Sequence, residues 1–205
     1  DGYKVEAYRV MPLPANTVIE KNIADIEALA DTIKKVVTRS GTKLSDTIVA
    51  VSDSSVITKE IQLPAGLTDL QMEMQIDVEA DQYIPYPIEE VAFDFDVLGP
   101  VETNADLVRV LLAACRQENV DHRRQALDIA GLSPKVVDVE GFAIERAYRL
   151  VKGQLGKVGD QVVSIADIGA TMFTFTVLVD GKTIYSREQL FGGKQLTEEI
   201  QRRYG

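Results

Sequence analysis

The chain has 205 residues, 45% of them apolar, and a formal net charge of −10, which allows the core of one large domain or two small ones. The acidic balance argues against nucleic acid and anionic lipid as direct partners, because both attract basic patches. No apolar stretch approaches the roughly 18 residues of a membrane-spanning helix. The single cysteine, Cys115, excludes an internal disulfide, and the single histidine, His122, disfavours a histidine-based metal site.

Strands and helices alternate along the chain, which indicates the α/β class. A first strand is predicted at 3–10, and a helix capped by Asn22 is predicted to run to about Ser40, with Gly41 as its stop. The further strands are predicted at 48–51, 56–63, 91–98, 108–115, 135–139, 162–169, 172–179 and 184–187. The further helices are predicted at 68–83, 117–130, 140–152 and from about 194 onward. Residues 54–133 read as a self-contained α+β module within an α/β frame.

The helix predicted at 68–83 has two apolar faces, as placing its residues at about 100° intervals shows. Leu70, Met74 and Val78 share one arc, and the opposite arc contains Met72, Ile76, Ala80 and Tyr83. A helix on a half-exposed sheet needs one apolar face, so the second must contact the rest of this chain, a second copy or a partner. Burial within this chain and a partner surface both stay open, and Met72 and Ile76 are the residues expected at the surface if a partner binds.

A second pattern lies at 162–189, where an apolar strand ends in Asp167-Ile168-Gly169 and two further strands follow. A carboxylate beside a glycine lets the backbone approach a phosphate and its metal ion closely. The same carboxylate is also explained by a simpler role, the capping of a turn at the end of a strand.

Three segments together resemble the actin-like ATPase superfamily, which includes actin, Hsp70, sugar kinases and FtsA. Residues 167–171 (DIGAT) resemble its second phosphate motif, 139–148 (VEGFAIERAY) its connecting helix, and 190–197 (LFGGKQLT) the helix start after the phosphate hairpin. Segments 79–87, 111–116 and 187–193 resemble the PilM family, the FtsA-like component of type IV pilus assembly. The resemblance runs over the full length of the chain.

The resemblance implies an incomplete actin-like (FtsA-like) fold with an inserted α+β subdomain of the 1C type. Residues 1–53 and 134–159 would form subdomain 1A without its first hairpin, 54–133 subdomain 1C, and 160–205 the start of subdomain 2A. The first phosphate motif is expected before Tyr3 and the adenosine motif after Gly205. Both ends therefore look truncated.

The resemblance also implies ATP or ADP with magnesium as cofactors of the full-length protein. Asp167 would hold magnesium through water, and Gly169, Thr171, Gly192 and Gly193 would approach the nucleotide. Glu140 would orient the attacking water. With one phosphate motif and no base pocket, we expect these 205 residues to bind ATP weakly or not at all and to have no catalytic site. We expect weak ATPase activity at most of the full-length protein.

For function, the resemblance implies a cytoplasmic adaptor, peripheral on the inner-membrane face, in pilus biogenesis and twitching motility. It would bind the N-terminal peptide of PilN, with an Asn-Leu-Leu-Pro core, in a groove between 1A and 1C. The partner-binding residues would be Met72, Ile76, Asp77, Glu79 and Tyr83. Other inner-membrane pilus components and self-association are further expected contacts, without nucleic acid or membrane insertion. The alternatives are a slow ATPase and an FtsA-like nucleotide-dependent filament former.

Overall fold

The computed structural model describes residues 3–155 and 162–205, apart from the side chains of Ala80 and Asp81, as a mixed α/β chain. The helices are α1 (Ile26–Ser40), α2 (Asp69–Tyr83), α3 (Gln117–Ile129), α4 (Glu140–Val151) and α5 (Gly193–Tyr204). The first five strands are β1 (Val18–Ile19), β2 (Asn22–Ile23), β3 (Asp46–Val51), β4 (Val56–Pro64) and β5 (Val91–Val101). The others are β6 (Asn104–Arg116), β7 (Ser133–Val139), β8 (Val162–Ile168), β9 (Phe173–Val179) and β10 (Lys182–Gln189).

The chain divides into two compact units. The first contains Asp1–Asp53 and His122–Gly205, and the second is the segment Ser54–Asp121 between them. The assignment of these units to subdomains 1A, 1C and 2A stays a prediction, and its boundary at 159/160 lies outside the described residues.

The second unit is an antiparallel sheet in the order β4–β6–β5 packed against α2. α2 begins with a capping box, in which the Thr68 hydroxyl accepts from the Gln71 N–H and the Gln71 side chain accepts from the Thr68 N–H. Each fully buried aliphatic side chain in such a core contributes about 1.5–3 kcal/mol. The buried cluster consists of Ile61, Leu63, Met72, Ile76, Ile84, Val110, Leu112 and Ala114.

The first unit contains the short hairpin β1–β2, the parallel pair β3–β7 and the antiparallel sheet β10–β9–β8. Alternate residues of the central strand β9 are buried, namely Thr174, Thr176 and Leu178. The β9–β10 connection is the pair Asp180–Gly181, both with left-handed backbone, as a two-residue hairpin turn requires. An Asp-Gly pair between two strands is a local sequence signal for such a turn.

Two predictions near the N-terminus are wrong. Residues 3–10 form neither a strand nor a helix, because an alternating strand needs a neighbour, and none pairs with it among the described residues. Asn22 does not cap α1, since it lies in β2. The cap is Asp25, whose carboxylate accepts from the Ala28 N–H at 2.9 Å. Gly41 ends α1 with a φ of 75°, as predicted.

None of the helices in the described part of the chain has both the length and the apolar composition that crossing a membrane requires.

Candidate functional site

The turn between β8 and β9 carries the first group of predicted site residues. The Gly169 N–H donates to the Met172 carbonyl at 2.9 Å, which closes a hairpin around Ala170 and Thr171. A Cβ atom on Gly169 would lie 2.9 Å from that same carbonyl oxygen, so the tight turn needs a glycine there. Asp167 is exposed at the end of β8, immediately before the turn.

The start of α5 packs directly on this turn. The N–H groups of Gly193 and Lys194 donate to the carbonyls of Gly169 and Ala170 at 3.0 and 2.9 Å. A Cβ atom on Gly192 would approach the Ala170 carbonyl oxygen to 2.5 Å. Gly192 and Gly193 lie beside the turn, and the Gly193 N–H is bonded within the protein. Their packing brings the helix close to the turn, and their approach to a nucleotide stays a prediction.

A pocket of about 190 Å³ opens at the same turn. It brings together three predicted site residues, Asp167, Gly169 and Thr171, with two that the sequence did not indicate, Lys21 and Thr174. Carboxylate and hydroxyl oxygens beside a close-lying backbone fit a phosphate group and its metal ion. The volume is below the roughly 300 Å³ of ordinary ligand pockets, so it suits the phosphates rather than a base and sugar. The complete lining is Val18, Lys21, Asp167, Gly169, Ala170, Thr171, Met172 and Thr174.

One face of the β8–β9–β10 sheet carries a row of polar side chains beside this pocket. Thr174 on β9 lies opposite Asp167 on β8 and opposite Glu188 on β10. Directly opposed residues in an antiparallel sheet point to the same face. Glu188, which is 7% exposed, was not predicted as a site residue, since strand β10 gives no local signal for one.

Lys21 joins this row to helix α4. Its ammonium nitrogen lies 2.5 Å from Oε2 of Glu140 and 2.6 Å from Oε1 of Glu188, and 3.5 Å from the Thr174 hydroxyl. Burial on its own would lower the pKa of Lys21, but the hydrogen bonds and charges of Glu140 and Glu188 raise it above its ordinary value. Glu140, the predicted water-orienting residue, is therefore reached through Lys21 and is not part of the pocket lining.

The backbone of Lys21 is bonded to a residue of helix α3. Arg123 on α3 donates from Nη2 to the Lys21 carbonyl at 3.3 Å and from Nε to the Ala50 carbonyl at 2.7 Å. Lys21 follows Glu20 in the β1–β2 turn, and the two have φ values of 65° and 50°. The turn thus presents its lysine to the pocket with both its backbone and its side chain bonded.

Asp53, which sequence reasoning missed, positions Glu140 indirectly. Its Oδ1 accepts from the Gly141 N–H at 2.8 Å, and its Oδ2 accepts from the Ser186 hydroxyl at 3.2 Å. The first bond satisfies an N–H of the first turn of α4, which has no side-chain cap of its own. Asp53 therefore ties the start of α4, where Glu140 lies, to strand β10.

The predicted partner surface on α2 needs a correction. Met72 and Ile76 are 5% and 0% exposed and belong to the core of the second unit, so they offer no contact surface. The opposite arc is the open one, with Leu70, Met74 and Val78 at 66%, 61% and 85% exposure. The helix does have two apolar faces, but the sheet covers the arc that contains Met72 and Ile76.

The other residues predicted on that surface differ in whether they are open to solvent or bonded within the helix. Asp77 is exposed. Glu79 accepts hydrogen bonds from Gln75 at 3.2 Å and from the Tyr83 hydroxyl at 2.9 Å. The bond to Glu79, with burial, raises the pKa of Tyr83, whose ring packs against the core. Glu79 and Tyr83 are thus engaged with each other, whereas Asp77 faces solvent.

Comparison with known proteins identifies relatives over nearly the whole chain. A family model described as "Type IV pilus assembly protein PilM" matches residues 1–205. A solved chain of the "PilM-PilN type IV pilus biogenesis complex" is 34% identical with a TM-score of 0.75, over 97% of this chain and 58% of that one. The present chain therefore spans little more than half the length of that relative.

Two further solved structures are more distant. MreB5 of Spiroplasma citri bound to ADP is 14% identical with a TM-score of 0.43, over 95% of this chain and 39% of that one. The ethanolamine utilization protein EutJ of Carboxydothermus hydrogenoformans is 16% identical with a TM-score of 0.47, over 95% of this chain and 46% of that one.

Proposed function

Because the chain belongs to the PilM family of type IV pilus assembly proteins, we propose that it is a cytoplasmic adaptor of the inner-membrane assembly complex. In this proposal it binds the N-terminal cytoplasmic peptide of PilN between subdomains 1A and 1C, and that contact holds it at the membrane face. The 34% identical relative comes from a PilM-PilN complex, which supports PilN as the partner.

The observation that carries a binding role is the open apolar arc of α2. Leu70, Met74 and Val78 follow one another at intervals of four residues and therefore form one stripe along the helix. The other arc of the helix already supplies the core, so the stripe has no function in the folding of its own unit. Contiguous apolar surface of this kind marks protein–protein contact sites.

The surroundings of the stripe favour a partner with basic residues. α2 has no lysine or arginine, and its exposed carboxylates include Asp69, Glu73 and Asp77. Beside it, a groove of about 430 Å³ is lined by Asp69, Glu73, Asp94 and Asp96 together with Phe95 and Val97. Apolar anchors flanked by complementary charge are the usual pattern of peptide recognition.

Titration of the intact protein with a synthetic PilN N-terminal peptide tests this proposal. The double variant Leu70→Ser/Met74→Ser should weaken binding about tenfold or more, the equivalent of about 1.4 kcal/mol. Leu44→Ser is the matched control, because Leu44 is 75% exposed in the first unit. Unchanged affinity of the double variant, with an unchanged melting temperature, would remove α2 from the binding surface. No binding by the wild type would remove the peptide as partner.

Nucleotide binding is a second part of the proposal. The pocket at Asp167, Gly169 and Thr171 suits metal-bound phosphate, so we propose that the intact protein binds ATP or ADP with magnesium. The Lys21 ammonium binds Glu140 through Oε2 alone at 2.5 Å, so this contact leaves Oε1 able to orient a water. We propose an adaptor with weak ATPase activity at most. A hydrolysis rate well above that of a protein-free control would contradict the adaptor assignment.

A further inference from the structure

The β1–β2 turn places a lysine where the backbone favours glycine. Glu20 and Lys21 both have left-handed φ values, which side chains with a Cβ adopt at a cost in free energy. Such outliers persist where the surrounding structure holds them, and they are concentrated at functional sites. Here the arrangement has a visible result, because it delivers one ammonium group to the pocket at Asp167.

Lys21 is the one cationic residue in the lining of this pocket, judged over the described residues. Three carboxylates lie in or beside this pocket. Asp167 lines the pocket itself, and Glu140 and Glu188 are bonded to the ammonium group. The Lys21 side chain is 21% exposed. Its ammonium group has three N–H donors, and its hydrogen-bond partners are Glu140, Glu188 and Thr174.

We define the wall of the pocket as its lining together with Glu140 and Glu188, the bonded partners of Lys21. Without the ammonium this wall would keep its three carboxylates and lose the cation that lies among them. Each carboxylate repels a phosphate, and the repulsion is strong at the short distances and reduced dielectric of a partly buried site. A single internal cation offsets two of these charges directly, since both lie within 2.6 Å of it.

We propose that Lys21 is the internal counter-ion of the phosphate pocket, which permits an anionic phosphate to approach Asp167, Gly169 and Thr171. The inference rests on the nucleotide binding proposed above and adds to it a residue outside the phosphate turn. In this proposal Lys21 acts as a positioning residue, because its positive charge sets the net charge of the wall.

A charge-balance series on the intact protein tests this inference, with Mg·ADP as the probe in calorimetric titration. Lys21→Met should weaken binding about tenfold or more, and Lys21→Arg should retain most of the affinity. Lys21→Met/Glu188→Gln should recover most of the loss, because it restores the net charge of the wild-type wall. Lys182→Met removes an exposed lysine from the same unit and should leave the affinity unchanged.

Glu188→Gln alone keeps the inference testable if Lys21→Met folds poorly. That variant should bind Mg·ADP more tightly than the wild type, since it removes one negative charge and leaves the lysine in place. The thermal shift produced by Mg·ADP gives a second readout for every variant. A higher salt concentration should reduce the difference in Mg·ADP affinity between the wild type and Lys21→Met, because salt screens the charges.

The outcomes distinguish the role of Lys21 from nucleotide binding itself. Equal affinity of wild type and Lys21→Met, or no recovery in the double variant, overturns the role of Lys21 and leaves nucleotide binding in place. Absence of Mg·ADP binding by the wild type overturns both, while the adaptor proposal is still judged by the PilN peptide alone.

Discussion

The ammonium of Lys21 lies 2.5 Å from a carboxylate oxygen of Glu140, although 119 positions separate the two residues in the chain. The contact joins a two-residue turn to the first residue of α4, and through Glu188 it also reaches strand β10. Three separate segments of the first unit therefore meet at one lysine. The consequences for stability follow from its charge.

The two ion pairs of Lys21, with Glu140 and Glu188, should stabilise the fold in a pH-dependent way. The folded-state pKa of Lys21 is raised above 10.5, the ordinary value, so this contribution is fully present below pH 10.5 and disappears as the pH rises through the folded pKa. Lys21→Met should cost about 2 kcal/mol near neutral pH, the typical loss for hydrogen bonds to charged groups. Urea unfolding of wild type and variant from pH 8 to pH 11 should show the difference shrinking only at the alkaline end.

Lys182→Met is the control for this series, because Lys182 is exposed and its removal tests the general effect of losing one positive charge. A Lys21→Met deficit that stays constant up to pH 11, or one that the control reproduces, would show that the ion pair does not stabilise the fold.

The two arcs of α2 should respond to substitution in opposite ways. Ile76→Ala creates a cavity in the core and should cost about 2–4 kcal/mol. Val78→Ala removes a similar aliphatic side chain that is 85% exposed, and should change stability by about 0.5 kcal/mol or less. Chemical unfolding measures the free energy of unfolding of both variants, provided that the m-value is the same as in the wild type. Equal losses would mean that Val78 is covered in solution by something else.

Sequence periodicity identified both apolar arcs of α2 but not the arc that the sheet covers. The helical period orders residues around an axis, and both arcs contain aliphatic or methionine side chains, so composition does not distinguish them. The deciding fact is the apolar face of the sheet formed by residues such as Val110 and Leu112, which is a long-range property. The mixed α/β class was correct because it rests on the order of whole elements, and the family was correct because its motifs are short continuous segments.

The β8–β9 turn was predictable, whereas the lysine beside it was not. Asp167, Gly169 and the Asp180–Gly181 turn are local signals within one continuous hairpin. Lys21 stands in a short polar stretch before α1, which resembles a helix start, and both of its carboxylate partners come from distant segments. Asp53 was missed for the same reason, since its partners Gly141 and Ser186 lie far along the chain.

Asp53 should stabilise the start of α4 in the manner of a helix cap. Asp53→Ala leaves the Gly141 N–H without its acceptor and should cost about 1 kcal/mol. Asp53→Asn keeps a side-chain oxygen at the same place and should cost clearly less. Thermal unfolding of the two variants provides the comparison, and a larger loss for asparagine than for alanine would contradict a capping role.

Gly192 and Gly193 are adjacent, yet alanine should be tolerated at only one of them. A Cβ atom on Gly192 would meet the Ala170 carbonyl carbon and oxygen at 2.6 and 2.5 Å, and because these are backbone atoms the turn itself must move. Gly192→Ala should therefore cost about 1–3 kcal/mol, as overpacking does. A Cβ atom on Gly193 would have its nearest neighbour, the Gly169 oxygen, at 3.9 Å, so Gly193→Ala should change stability by about 0.5 kcal/mol or less. Urea unfolding measures both variants side by side, and similar effects in the two would show that α5 does not pack on the β8–β9 turn as closely as the structure has it.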